Sequence, residues 1–467
     1  MIEVELNSQD LLSTDDLISV LSGYNSIMPI YLDLDRILYI IADLTIQIRK
    51  YEDKLLQLVS PTVTVTFSNG YDSKYIKSVV AEYIHKRVPS EFLVYTKTMT
   101  ISMSKEALTE TITGLGKDYP EEVDVIRTYL DWNSAVYNKR TMLGYLTYPS
   151  VNDKLSIENH RMLRCMPTWA PQNSGRVGMT NPAIQNIKRE YQNIVTCPAG
   201  YNLIHADSGQ IEPRIVYSWI IKDPQIQTLI NLYDDSYYGV LHYCTMPEED
   251  ITSGRLDFTP MEITPELKEK RKKIKTYTNA VMYGSTSNAE ADPIKDAMIQ
   301  RIGKHPMRLS FCKTLEEQID RGVRKFPTAF GRLIDISNSK KLVGESNEDA
   351  VGSLEDFLNN KNAGYKSSDR YQLLKLAINN PIQGTAADFM NKSVQYVQHL
   401  LLERNCIRSS IACYIHDAGV FYVHDDDMDK IGDELKDVVA YHVNGWLPIH
   451  AEAEVNSFSG VAQEFAY

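Results

Sequence analysis

Apolar residues first fall on a helical period between Asp33 and Val59. Ile37, Ile41, Leu44, Ile48, Leu55 and Val59 recur at three-, four- and seven-residue spacing, which leaves one apolar face, and Ser60-Pro61 ends the run. At about 1.5 Å per residue the pattern predicts a helix of roughly 40 Å, long enough to protrude as a stalk. Val123, Ile126, Leu130 and Tyr137 predict a second helix to pack beside it, and the polar Thr96-Lys97-Thr98-Met99-Thr100 between them reads as a loop-rich tip. From about Asp153 the texture changes to turn-rich segments and short apolar strands. Leu203-Ile204-His205-Ala206 is one such strand, ending in Asp207. Helical blocks follow over about 264–282 and 307–323. Leu373 to Ile378 also reads as helix, is interrupted at Asn379-Asn380-Pro381, and resumes from Ala386 to Leu402. Ile411 to Val423 is two apolar strands around a tight turn at His416-Asp417-Ala418, and a βαβ-like stretch closes the chain.

The length of 467 residues supports two to four lobes. Apolar and charged fractions of 43% and 24% are those of an ordinary globular protein. No apolar run approaches the roughly 18–20 residues of a membrane span, and the N-terminus lacks a basic region followed by an apolar one. The expected compartment is the cytoplasm, the host's if the chain is viral, with no membrane partner. Cys165, Cys197, Cys244, Cys312, Cys406 and Cys413 form no CxxC pair or zinc-type spacing and read as free thiols. A net charge of −12 argues against a protein that coats DNA nonspecifically, but permits a local basic groove inside an acidic shell.

Two aspartates stand at apolar strand ends. Asp207 opens the segment Asp207-Ser208-Gly209-Gln210-Ile211-Glu212-Pro213-Arg214, and Asp417 sits at the hairpin tip. Taken singly, each is an ordinary turn residue. Phosphoryl transfer to a nucleic-acid end, however, needs carboxylates from separate segments converging on metals about 3.5–4 Å apart, and two strand-end aspartates supply them simply. Arg271, Lys275 and Asn279 share one helical stripe at i, i+4 and i+8. The stripe is either a solvated face or a cationic clamp on a triphosphate that Tyr283-Gly284 closes.

In order and spacing these segments resemble the motifs of the family A DNA polymerases, the bacterial polymerase I group. The family pattern D-Y-S-Q-I-E-x-R is similar to Asp207 through Arg214, and R-x-x-x-K-x-x-x-F-G-x-x-Y-G to Arg271 through Gly284. N-x-P-x-Q-G-T-A-A-D is similar to Asn379 through Asp388, and H-D-E to His416-Asp417-Ala418. Gly175-Arg176 with Asn181-Pro182-Ala183-Ile184-Gln185-Asn186 resembles G-R-L-S-S-S-D-P-N-L-Q-N. His242 stands where the family has a nucleotide-contacting histidine, and Thr328-Ala329-Phe330-Gly331-Arg332 resembles T-x-x-G-R.

The resemblance implies an α+β right-hand fold, with a thumb at 1–150, a palm at 151–217 and 345–467, and fingers at 218–344. It implies dNTP addition to a primer 3′ end by two Mg2+ ions, with Mn2+ as a substitute. Asp207 and Asp417 would hold both ions, and the Ser208 carbonyl would be a further ligand. Arg271, Lys275 and His242 would bind the triphosphate, Lys275 assisting protonation of the leaving group. Glu212 and Tyr283 would close off the sugar 2′ position, with Gln210 and Asn279 also beside the nucleotide. Arg176, Gln185, Gln383, His416 and Asn379 would contact primer–template DNA. Three departures stand out: Ala418 replaces the glutamate after the palm aspartate, Ser208-Gly209 replaces Tyr-Ser, and Asn279 replaces an aromatic residue. Only about thirty residues precede the long helix, so no 3′–5′ exonuclease is expected within the sequence. A separate exonuclease or processivity subunit is an expected partner. Two other readings stay open: a decayed polymerase that binds DNA without chemistry, and a single-subunit RNA polymerase or primase-like enzyme.

Overall fold

A computed structural model describes the chain except for residues 4, 6–10, 64–72, 97, 148–161, 166, 181, 283–291, 338–368, 416, 456, 459–460 and 463–467. The change of texture expected near Asp153 lies outside the described residues. The chain divides into two compact units, one of Met1–Ile30 with Met166–Tyr467 and one of Tyr31–Cys165. Helix α1 (Thr14–Ile27) therefore belongs to the larger unit, with the Ser13 side chain capping it.

In the smaller unit the expected long helix is present as α2 (Leu34–Val59). Asp33 caps it, its carboxylate accepting from the Arg36 N–H at 2.9 Å. The apolar stripe of α2 packs along α5 (Pro120–Tyr145), with α3 (Ser73–Arg87) and α4 (Lys105–Leu115) joining the same core. Leu55, Val59, Val80, Ile126, Tyr129 and Trp132 are buried there, and the Trp132 indole donates to buried Glu52 at 3.2 Å. The loop read as a tip is a turn closed by Thr96 N–H donating to Thr100 O at 2.7 Å, with Lys97 outside the described residues.

The larger unit is built on a four-stranded antiparallel sheet. The hairpin β1 (Thr168–Pro171) and β2 (Val177–Thr180) precedes β3 (Tyr201–Ser208), and β4 (Ser410–Ile415), β5 (Ala418–His424) and β6 (Ala451–Val455) complete the sheet in the order β4-β5-β3-β6. Both β5 and β6 pair antiparallel to β3, so they run parallel to each other on its two sides. The βαβ-like ending is thus a split unit, its crossover carrying a helix over Met428–Lys436. Buried Asn25 ties α1 to this framework. Its amide donates to Ala412 O at 2.8 Å and accepts from the Trp169 indole at 2.9 Å.

Between β3 and β4 the chain is largely helical: α6 (Ile211–Ile215), α7 (Pro224–Tyr233), α8 (Ser236–Thr245), α9 (Pro265–Met282), α10 (Pro306–Asp320) and α11 (Asp369–Glu403). Helix α12 (Met428–Lys436) follows β5. The expected interruption at Asn379-Asn380-Pro381 does not occur, because α11 runs through Pro381 without a break. An interior proline costs about 3 kcal/mol. Against that, Leu374, Ala377, Ile378, Ile382, Ala386, Ala387 and Phe389 are all buried, each large aliphatic contributing about 1.5–3 kcal/mol. Tertiary packing outweighs the local defect. Gly384 explains how closely this helix is held, since a Cβ there would run into the Ile334 side chain and lie 3.1 Å from Ser174 O. All six cysteines are buried and unpaired. Among the described residues no helix is long and apolar enough to cross a membrane.

Candidate active site

Leu203, Ile204 and Ala206 bury the body of β3, an interior strand that carries Asp207 near its C-terminal end. Ala418 and Glu452 lie directly opposite Asp207 on the two neighbouring strands. Cross-strand partners of this kind share a face of the sheet. The β4–β5 turn is joined to the end of β3 by Ser208 N–H donating to Asp417 O at 3.1 Å, which brings the two aspartates together. Burial, then repulsion from Asp417 and Glu452, pushes the Asp207 carboxyl up to about 7 against the pull of Lys275 and the Ser208 N–H. A carboxylate so destabilised in its charged form is suited to a cation, and oxygen donors suit a hard divalent one. Among the described residues no group of three His, Cys, Asp or Glu stands ready to hold a metal. Asp207 and Asp417, from separate segments, are the carboxylates here that could hold such an ion. The Ser208 hydroxyl is not free to join them, because it is buried and donates to Val439 O at 2.9 Å.

Along α9, Ile274, Tyr277, Thr278 and Val281 are buried while Lys275 and Asn279 are exposed, so the stripe faces away from the helix's packed side. Arg271 is held by Asp235, its Nε and Nη2 donating to Oδ2 at 3.0 and 2.5 Å. Its guanidinium lies over the rings of Tyr237 and Tyr238, with centroids at 5.1 and 5.3 Å, and the Lys275 ammonium is 6.0 Å from the Tyr237 centroid. Gln210 has both ends of its amide occupied, donating to Asp235 at 2.8 Å and accepting from the Ser236 N–H at 2.7 Å. His242 is buried one turn along α8 from Tyr238, its Nδ1 2.9 Å from the Tyr233 hydroxyl. Burial pulls that imidazole below its usual range. The aromatic neighbour of both cations is thus Tyr237, which the sequence analysis did not single out.

Glu212 on α6 meets Arg176, Nη2 to Oε1 at 2.5 Å, and the Arg176 Nε is buried with no partner among the described residues. Gln185 accepts from the Met179 N–H at 2.9 Å, and half-buried Gln383 and Asn379 lie on α11. The Asn379 Oδ1 is likewise buried without a partner among the described residues. Arg332 braces this region, pairing with Asp388 at 2.5 Å and donating to Ser174 O and Gly384 O at 2.9 and 3.0 Å. Tyr283 and His416 lie outside the described residues. Glu452 and Asp235 were also missed. Glu452 sits in the alternating Ala451-Glu452-Ala453-Glu454-Val455 that signals a half-exposed strand, and Asp235-Ser236 is an N-cap pattern.

Two aspartates at the end of an antiparallel sheet, with a cationic helix beside them and helices around the sheet, make up an α+β arrangement. A solved structure described as the POL domain of Pol1 from M. smegmatis in complex with DNA primer-template and dNTP superposes with a TM-score of 0.68 at 18% identity, over 95% of this chain and 68% of that one. The model of DNA polymerase family A matches residues 77–459, and the chain belongs to that family. DNA polymerase I of Pseudomonas aeruginosa is 23% identical over 295 residues, 61% of this chain and 28% of that protein. DNA polymerase I of Caldicellulosiruptor bescii is 26% identical over 275 residues, 56% of this chain and 28% of that protein. The chain thus aligns with under a third of the length of these relatives.

Proposed function

We propose that the chain is a template-directed DNA polymerase core that adds dNTPs to a primer 3′ end. The observation that carries this is the meeting of Asp207 and Asp417 at one sheet end, with Lys275 close enough to act on Asp207. In this reading the two carboxylates and the Ser208 carbonyl hold two Mg2+ ions, for which Mn2+ can stand in. Such ions, when bound, activate the primer hydroxyl and stabilise the departing pyrophosphate. Arg271 supplies a fork and Lys275 a compact charge for the triphosphate. As the 3′-oxygen bonds to the α-phosphorus and the α–β bridging bond breaks, Lys275 is the proton donor to pyrophosphate. Glu212 fills the space of a ribose 2′-hydroxyl. Arg176 and Asn379, with their unpartnered buried atoms, meet the primer–template on the duplex side together with Gln185, Gln383 and His416. The lobes of this reading are a thumb centred on α2 and α5, fingers carrying α7 to α10, and a palm carrying the sheet.

Primer extension with dNTPs against NTPs tests the reading. Extension with dNTPs is expected, and its loss in Asp417→Ala with primer–template affinity retained. Extension by that variant at the wild-type rate in magnesium would remove Asp417 from the chemistry, and preference for NTPs would favour the RNA polymerase alternative.

A further inference from the structure

We infer that Asp235 is a positioning residue of the nucleotide site, which sets Arg271 in register with the Asp207 end of the sheet and presents one edge of its guanidinium to the triphosphate. The inference rests on the proposed role of Arg271 and goes beyond it by naming what aims that side chain.

Asp235 is the N-cap of α8, and its two oxygens have separate duties. Oδ1 accepts from the Tyr238 N–H at 2.8 Å, which satisfies a donor that the helix start would otherwise leave open. Oδ2 accepts from Gln210 Nε2 at 2.8 Å and from Arg271 Nε and Nη2 at 3.0 and 2.5 Å. Only one edge of the guanidinium is used in this way. No hydrogen bond to Nη1 is present among the described residues, so that edge remains available to a ligand. Tyr237 and Tyr238, with ring centroids 5.1 and 5.3 Å from the guanidinium carbon, restrain it further. A long side chain that would lose substantial rotamer freedom on gripping a phosphate is therefore already ordered.

The bracket also has a fixed anchor. Gln210 follows the end of β3 by two residues and takes a left-handed backbone with φ of 58°. Its Oε1 accepts from the Ser236 N–H at 2.7 Å while its Nε2 binds Asp235, so the strand carrying Asp207 is pinned to the start of α8. The chain of contacts from Asp207 through Gln210 and Asp235 to Arg271 links three elements, β3, α8 and α9. It gives the phosphate-binding cation a position referenced to the carboxylate end. A competing logic exists, in which Asp235 occupies the phosphate seat and must be displaced. The geometry favours positioning, because the Asp235 side chain is only 14% exposed and is held by groups that a nucleotide would not replace.

Asp235→Asn tests the inference, since the amide oxygen can still cap α8 while the NH2 now faces the donors of Arg271. The expected result is a KM for dNTP raised about tenfold, with kcat changed far less and primer–template affinity unaltered. In an Arg271→Ala background the same substitution should add almost nothing, because the side chain it aims is gone. A lowered KM in Asp235→Asn would show competition and overturn the inference. A KM equal to wild type, alongside a raised KM in Arg271→Ala, would overturn it while leaving the proposed role of Arg271 intact. An unchanged KM in Arg271→Ala itself would overturn both. If Asp235→Asn melts early, Asp235→Ser, which keeps a capping oxygen and removes the acceptor for Arg271, carries the same expectations.

Discussion

Asp207→Asn is expected to stabilise the metal-free protein above pH 7 while ending nucleotide addition. Burial, with Asp417 and Glu452 adding repulsion, holds the Asp207 carboxyl at about 7 in the folded protein, against an ordinary value of 3.8. In the unfolded chain the group ionises near that ordinary value. Between the two, the folded state binds the extra proton, so stability falls as pH rises through this window and the whole cost is present above about 7. At about 1.4 kcal/mol per tenfold change in an equilibrium constant, the rise amounts to about 4 kcal/mol at pH 8 and under about 2 kcal/mol at pH 5. An asparagine side chain has nearly the same shape and carries no charge, so the substitution should recover most of that difference at pH 8 and much less at pH 5. Urea unfolding in the presence of a chelator, followed at both pH values, measures it. Added Mg2+ should stabilise the parent protein by mass action and leave Asp207→Asn nearly unmoved. A variant that is less stable than the parent at pH 8, or that gains equally at both pH values, would refute the electrostatic reasoning.

Two further outcomes follow from the same geometry. Lys275→Ala should slow incorporation by 10²-fold or more, within the roughly 10²–10⁴-fold typical of general acids, with primer–template affinity unchanged. Equal loss of DNA binding in a filter or anisotropy assay would return the stripe to a duplex clamp or solvated face. Glu212→Ala should raise the ratio of NTP to dNTP incorporation, because it removes a clash rather than a contact. An unchanged ratio would take Glu212 out of the sugar gate, leaving its ion pair with Arg176 as a structural link.

The features legible from the sequence are those set by short-range periodicity. The stripe of α2, the apolar run that ends in Asp207, the hairpin around Asp417 and the alignment of Arg271, Lys275 and Asn279 each depend on residues within a few turns or one strand. Side-chain period and turn chemistry suffice for these. What needed the tertiary structure was set by contacts between distant segments. Pro381 reads locally as a break, but α11 passes through it because its flanks are buried against the rest of the larger unit. Glu452 is adjacent to Asp207 only through the β3–β6 register, joining residues more than two hundred positions apart. Tyr237 comes beside Arg271 and Lys275 only through the packing of α8 on α9. Asp235, read locally, is only a helix cap. Its second oxygen finds Arg271 because α8 and α9 pack together, and packing of that kind is decided by the shape and burial of whole faces rather than by the order of residues along either helix.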